Sequence, residues 1–393
     1  MAGIYIHIPF CKKACNYCNF HFSTNHQLID QVVDAIVHEI QLQKNYLAEP
    51  IETLYLGGGT PSLLKKAALT KIFEAVKLHF NLLPHAEITL EANPDDIDTE
   101  QLLNWIELGV NRLSIGIQSF RNEDLQWMGR AHNADQALTC IELAQAAGIQ
   151  NISIDLIYGG PSLSNEDWIQ NLQIAINTGV PHLSCYALTV EPKTALAHKI
   201  NKQELPNVDA AHQAAHFSIL QEMTAAAGFE QYEISNFSLP CKRSIHNANY
   251  WLGKHYLGIG PAAHSFNGRS RQWNISNNAL YIQSLAQAVV PFEIEELTVV
   301  QQINEYIMTA LRTIEGINAN RINEIAGNAI FDAIGSAGSV IRSAGAIAGP
   351  TPLGFGLMAV GTAIGVNSLL SRRLGARHHA EASEVAMHGL FLA

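Results

Sequence analysis

Three cysteines crowd into a short stretch near the start of the chain: Cys11, Cys15 and Cys18. A secreted disulfide framework would be shorter and more evenly stapled, so the trio reads as metal ligation. Most [4Fe–4S] clusters are held by four cysteine thiolates. Three would leave one iron without a protein ligand and open to a small chelating molecule. A structural zinc ion is the other chemistry this spacing allows, since His21 would complete a Cys3His set. Cys140, Cys185 and Cys241 are scattered and read as packed thiols.

A second feature is Gly57-Gly58-Gly59-Thr60-Pro61, where backbone groups can approach a neighbour closely because so little side chain intervenes. It lacks the Lys-Ser/Thr of a phosphate loop and the spaced glycines of a dinucleotide fold. Glu91, Gln118, Arg130 and Asp155 are polar groups that could converge on the same place. Each has a plainer alternative: Arg130 could pair with a surface carboxylate, and Asp155 could cap a turn.

The elements that would position these groups alternate between two periods. Apolar or β-branched runs fall at 4–8, 53–56, 87–90, 112–117, 152–157 and 182–187. Helical spacing separates them near 28–42, 67–80, 100–108, 134–147 and 166–178. In the first of these, Ile29, Val32, Val33, Ile36, Val37 and Ile40 form one apolar face. Strands alternating with helices imply crossovers and a parallel α/β sheet. Six such units predict a partial, open (β/α)6 TIM-like barrel. The cysteine loop, the glycine run, Glu91, Gln118, Asp155 and the segment after Ala187 each follow a strand, and carboxyl ends of parallel strands are where barrel sites sit.

Three regions are expected: a barrel over 1–228 with the cluster site, a smaller lobe over 229–327, and an atypical Gly/Ala-rich tail over 328–393. The tail includes Leu353–Leu370, an uncharged run at the lower edge of the length that crosses a bilayer, followed by Arg372, Arg373 and Arg377. Membrane association through the tail and a dimer are both compatible with the sequence. A net charge of −11 argues against non-specific nucleic-acid binding, and the start lacks the pattern of a signal peptide, so a cytoplasmic protein is expected.

Cys-x3-Cys-x2-Cys followed by Gly-Gly-Gly-Thr-Pro resembles the radical S-adenosylmethionine (SAM) superfamily. Residues 5–11, 56–61, 91–95, 114–120, 129–132 and 155–161 resemble the branch that holds the oxygen-independent coproporphyrinogen III oxidase (HemN) and its heme-chaperone relatives (HemW). The resemblance spans about residues 3–325. It implies that Cys11, Cys15 and Cys18 ligate a [4Fe–4S] cluster whose open iron takes the amino and carboxylate groups of SAM. Gly58, Gly59 and Thr60 would line the methionine end, with Arg130 pairing its carboxylate. Glu91, Gln118 and Asp155 would hold polar parts of SAM, including the ribose hydroxyls. Tyr5 and Tyr17 would pack around the cluster, and Ala187 and His264 would lie near the adenosine. A reduced cluster in this superfamily, fed by an electron donor, cleaves SAM to a 5′-deoxyadenosyl radical.

Within that branch the oxidase pattern carries one more cysteine, where this chain has Phe20, and a long segment before the cluster motif, where this chain has ten residues. His246-Asn247-Ala248-Asn249-Tyr250-Trp251 resembles the HNxxYW motif of the heme-chaperone side. His246 is then a candidate axial ligand for heme, and Tyr250 and Trp251 could pack on the porphyrin face. The expected function is a heme chaperone that carries heme as cargo to apo-haemoproteins. The alternative is anaerobic oxidation of coproporphyrinogen III.

Overall fold

The computed structural model describes residues 1–326, so the tail expected over 328–393, with its apolar run, lies outside the described residues. One mixed sheet of twelve strands runs through the fold. Its strands are β1 (Ala2–Ile8), β2 (Ile51–Gly58), β3 (Leu82–Ala92), β4 (Arg112–Gln118), β5 (Asn151–Tyr158), β6 (His182–Ala187), β7 (Glu230–Gln231), β8 (Asn236–Ser238), β9 (Tyr256–Ile259), β10 (His264–Phe266), β11 (Ser270–Asn274) and β12 (Phe292–Glu296). The helices are α1 (Ile29–Leu42), α2 (Lys66–His79), α3 (Thr99–Leu108), α4 (Asn122–Met128), α5 (Ala134–Ala146), α6 (Asn165–Asn177), α7 (Ala195–Asn201), α8 (Ala210–Ala226), α9 (Ile245–Trp251), α10 (Asn278–Leu285), α11 (Val299–Ala310) and α12 (Ala319–Ala326).

The six expected strands form a parallel run in sequence order, β1 to β6. A seventh parallel strand, β9, pairs with the outer edge of β1 and was not expected as part of the barrel. Antiparallel strands extend the sheet beyond it (β10, β11, β12) and beyond β6 (β8, β7). The sheet ends in free edges, so the barrel is open. Two compact units result among the described residues: Met1–Asn249 with Gly253–Leu297, and Tyr250–Leu252 with residues 298–326. The boundary expected at 228 falls inside the first unit because residues 230–296 supply strands to the same sheet. In the second unit the Arg312 guanidinium lies 4.8 Å over the Trp251 ring. No helix among the described residues is long and apolar enough to cross a membrane.

Each parallel strand alternates sharply. Outward residues such as Ile4, Ile6, Leu54, Leu90, Ile115 and Ile154 are buried against helix faces built from Ile36, Ile72, Phe73, Trp105 and Trp168. Burying each such side chain contributes about 1.5–3 kcal/mol before chain entropy is counted. Inward residues are polar, aromatic or glycine. Their register runs Gly3–Thr53–Glu87, then Tyr5–Tyr55–Thr89–Arg112–Asn151, then Glu91–Ser114–Ser153–His182. A closed (β/α)8 barrel fills this space with branched apolar residues; here the lumen is lined with groups that need hydrogen bonds.

Glu39 shows how that need is met at one buried carboxylate. It sits on the inner face of α1, fully buried. Its carboxylate accepts from Gly260 N–H at 2.9 Å, from Asn274 Nδ2 at 2.7 Å and from the Tyr281 hydroxyl. One side chain thereby fastens the end of β9, β11 and α10 to α1. Burial pushes its carboxyl up to about 7, against the pull of Tyr281, Gly260 and Asn274. Removing the acceptor strands three buried donors. Glu39→Ala is expected to lower unfolding free energy by about 3–5 kcal/mol, read by denaturant titration. The raised carboxyl binds its proton more tightly in the folded state. Wild-type stability should therefore fall relative to Glu39→Gln as pH rises from about 4.5 to about 7, and the difference should level off above that.

Candidate cluster and SAM site

The cluster loop leaves β1 at Pro9 and returns at Ser23, and its neck is closed by backbone bonds. Cys11 N donates to Ser23 O at 3.1 Å and Ser23 N to Pro9 O at 2.9 Å. The glycine run holds this neck. Gly59 N donates to Ile8 O at 2.9 Å and Thr60 N to Phe10 O at 2.7 Å. A side chain on residue 59 would press within 2.6 Å of Phe10 O and 2.7 Å of Ile8 O, so only glycine lets β2 end this close to the loop. The run reads from sequence as backbone freed for a ligand; much of it is committed to positioning the cysteines.

His7 fastens the loop from below. Its Nε2 can only donate to the carbonyl of His21, at 3.0 Å, which leaves Nδ1 to accept from the Tyr5 hydroxyl at 3.0 Å. Burial lowers the imidazole to about 4, so the ring is neutral and this tautomer is fixed. The His21 ring bonds Asn278 Oδ1 on α10 at 2.8 Å through its Nε2. Further along, Asn16 N donates to Met128 O at 2.9 Å, and Leu196 N donates to Asn16 O at 2.8 Å.

Arg130 ties the loop to the barrel rim. Nη1 lies 3.3 Å from Cys15 Sγ, and Nη2 donates to Asn93 Oδ1 at 2.7 Å and to Gly116 O at 2.8 Å. The alternative of a surface ion pair is excluded by this geometry. Burial raises the Cys11 thiol and pushes Cys18 up to about 12. The neighbouring Cys15 raises both further, while Arg130 opposes the rise at both. Thr60 also hydrogen-bonds Cys11. Tyr17, whose phenol is raised by burial, bonds Arg130 and packs beside Met128, Ile157 and Leu188.

Among the described residues no three His, Cys, Asp or Glu side chains form a ready set for a single metal ion. The residues do fit a thiolate-bound cluster. Three neighbouring thiols share one loop, a guanidinium abuts one of them, and its Nε is a buried donor without a protein acceptor. Of the scattered cysteines, Cys140 and Cys185 are packed as expected. Cys241 is exposed, on a turn with positive φ, which corrects its reading as a packed thiol.

Inside the rim, Glu91 accepts from Tyr55 OH at 2.8 Å and from Gly58 N–H at 3.0 Å. Asp155 receives Ser114 Oγ at 3.4 Å and a bond from Ser184. Both carboxylates reach the lumen yet are walled by protein. Burial raises Glu91 to about 7 and Asp155 to about 6. Gln118 ends β4 after a register shift, with φ of 67°, a left-handed conformation uncommon for a side-chain residue. Ala187 ends β6, opposite Tyr158. His264 stands on β10, stacked on Trp273 and near enough to His7 to disfavour its protonation. Of the expected SAM-site residues, only Tyr5 and Thr60 are fully buried; the others line the space partly exposed.

The structure thus gathers Cys11, Cys15, Cys18, Tyr17, Thr60 and Arg130 at the loop, and Tyr5, Gly58, Glu91, Gln118 and Asp155 just beneath. Sequence reasoning missed His7, Tyr55 and Asn93. His7 and Asn93 lie inside the quoted motifs, and Tyr55 shares the inward alternation of β2. His246 is placed elsewhere. It is buried in the lumen floor, its Nδ1 bonded to Thr53 Oγ1 at 2.8 Å and its ring stacked on Tyr55 at 4.9 Å. Glu87 accepts the Ile245 and His246 backbone N–H groups at 3.1 and 2.9 Å, which caps the start of α9.

Comparison with known proteins accords with this geometry. Residues 5–175 match the radical SAM superfamily. The heme chaperone HemW of Mycobacterium tuberculosis (strain ATCC 25618 / H37Rv) is 35% identical over 326 residues, 81% of this chain and 84% of its own. That of Bacillus subtilis (strain 168) is 33% identical over 336 residues, 84% and 88% of the two chains. The solved structure of coproporphyrinogen III oxidase (HemN) from Escherichia coli shares the fold, with a TM-score of 0.75 over 85% of this chain and 80% of that one at 23% identity. A cysteine loop clamped by Arg130 above a polar open barrel, and about a third of the aligned residues identical to HemW proteins over most of the chain, establish that this chain belongs to the HemW family of the radical SAM superfamily.

Proposed function

We propose that this protein is a heme chaperone: it binds heme and delivers it to apo-haemoproteins in the cytoplasm, using a [4Fe–4S] cluster and SAM held at the barrel mouth. The observation that carries this reading is the similarity to proteins named heme chaperone HemW over more than four-fifths of the chain. Phe20, 40% exposed where the oxidase pattern has a further cysteine, supports it against coproporphyrinogen oxidation.

When bound, the cluster would supply an electron from an external donor and an iron for SAM. The chain's own residues do the positioning. Cys11, Cys15 and Cys18 would ligate three irons. Arg130 sits where a carboxylate bound beside Cys15 meets a guanidinium with an unspent Nε. Glu91 and Asp155 face the lumen as acceptors for hydroxyl and ammonium groups of SAM, with Gln118 on the same rim. Gly58, Gly59 and Thr60 would border the methionine end, Tyr5 and Tyr17 the cluster, and Ala187 and His264 the adenosine.

Heme ligation by His246 would require a ring lowered to about 3 by burial to leave Thr53 and Tyr55. We assign the ring to the barrel floor and keep Tyr250, in the second unit, as the porphyrin-packing candidate of that motif, because Trp251 is buried beneath the Arg312 guanidinium.

Two measurements check these assignments. Anaerobically reconstituted wild type should take up heme in an absorbance titration, pass it to an apo-haemoprotein and form no protoporphyrinogen IX from coproporphyrinogen III with SAM and a reductant. His246→Ala should lose about 2–4 kcal/mol of stability while its folded fraction still binds heme. Loss of heme uptake at unchanged stability would place the ligand at His246, and absence of heme uptake by wild type would refute the chaperone reading. Separately, Arg130→Ala should weaken SAM binding about tenfold or more with the iron content of the protein retained, by equilibrium dialysis and iron assay. Unchanged SAM affinity would contradict the placement.

A further inference from the structure

Beneath Asp155 the inward faces of β5 and β6 carry a hydrogen-bond chain that lies outside every motif of the cluster site. Tyr232, just before β8, touches His182 Nε2 with its hydroxyl at 2.8 Å. His182 Nδ1 lies 2.6 Å from Ser153 Oγ, and Ser153 Oγ lies 3.1 Å from Ser184 Oγ. Ser184 stands opposite Asp155 in the β5–β6 ladder and bonds its carboxylate. All four side chains are at most 2% exposed.

Both ends fix the direction of this chain. A backbone N–H can only donate, and Ser244 N donates to the Tyr232 oxygen at 3.4 Å. The phenol hydrogen remains to be donated to His182 Nε2, and the carboxylate end, which obliges each hydroxyl to donate toward Asp155, places the imidazole proton on Nδ1, aimed at Ser153. Ser153 passes its hydrogen to Ser184, and Ser184, which the Tyr186 hydroxyl also bonds, passes its own to the carboxylate. At the other end an ionised carboxylate can only accept. The two ends demand the same orientation, so no hydroxyl has to reverse. Burial and the nearby Arg112 guanidinium hold His182 well below its ordinary value, so it is a neutral relay with one defined tautomer.

We infer that Tyr232, His182, Ser153 and Ser184 form a directed hydrogen-bond chain that holds Asp155 as an acceptor for the ribose hydroxyls of SAM. The four are positioning residues acting through Asp155. The chain rests on the reading of the barrel mouth as a SAM site. It extends that reading to the lumen floor, where the row ends at Tyr232. Hydrogen bonds in series polarise one another, so a missing donor at the far end weakens the last bond of the row. An Asp155 less firmly held accepts poorly from a hydroxyl and loses the part of SAM affinity that depends on one.

The test compares SAM with its 2′,3′-dideoxy analogue on anaerobically reconstituted protein, by equilibrium dialysis. Wild type should prefer SAM by about tenfold or more, a span reasonable for hydrogen bonds to a charged acceptor. Tyr232→Phe and His182→Leu should shrink that preference severalfold by weakening SAM alone. His182→Asn, which keeps a donor near the Nδ1 position, should restore part of it. A chain that merely fills the floor would weaken both ligands equally and leave the ratio unchanged in every variant, and that result overturns the inference. If Tyr232→Phe folds and His182→Leu does not, the ratio in Tyr232→Phe decides. Wild type that binds SAM with no preference over the analogue overturns the ribose assignment and the chain's role with it. An unchanged ratio in the variants beside a normal wild-type preference overturns the chain alone.

Discussion

Burying charge inside a sheet is expensive unless every polar atom finds a partner, and the parallel strands here turn such atoms inward along most of their length. Glu87, Arg112, Glu91 and Asp155 all point into the lumen of a barrel whose outer face is packed with isoleucine and leucine. None is satisfied by a simple ion pair. Glu87 is taken by the first N–H groups of α9, Arg112 by Asn151 at 2.8 Å, Glu91 by Tyr55 and Gly58, and Asp155 by serines from both flanking strands. The architecture follows from meeting these demands. An open sheet leaves the upper carboxylates facing a mouth, while residues from β8, α9 and β9–β11 close the floor and flank.

The cluster loop depends on the same economy of partners. Its Cys11 and Cys18 thiols are raised by burial, and Arg130, itself fixed by Asn93 and Gly116, opposes the rise. The loop neck is held by Gly59 and Thr60 from the adjacent strand and by a neutral His7 from below. A cysteine loop anchored on three sides to the sheet keeps its thiols at a defined distance from the carboxylates beneath. That is what positioning a two-ended molecule such as SAM requires.

Much of the barrel was legible in the sequence because its strands and helices have clean periods. The segment 182–187 matches β6 residue for residue, and Ile29 to Ile40 mark the inner face of α1. The cysteine spacing, the glycine run and the polar residues after each strand pointed to one mouth. What stayed hidden depended on partners distant in sequence. Glu39 looks like a solvent-facing residue of an amphipathic helix until Gly260, Asn274 and Tyr281 arrive from beyond residue 255. His246 read as a ligand because a histidine in an aromatic motif offers no sign that Thr53 and Tyr55 will enclose it. The strand β9 escaped notice as a barrel member because Tyr256–Ile259 is short and its parallel partner β1 lies at the opposite end of the chain. The helix α8, rich in alanine and histidine, shows too little contrast between faces to stand out.

The central claim is that Cys11, Cys15 and Cys18 hold a cluster with one iron left open to SAM. Its most direct test is electron paramagnetic resonance of the anaerobically reconstituted, reduced protein with and without SAM, alongside iron, zinc and acid-labile sulfide analysis. About four irons and four sulfides per chain are expected, with a reduced-cluster signal that changes when SAM is added, and loss of both in Cys15→Ser. One zinc without labile sulfide, or a cluster signal indifferent to SAM, would contradict it.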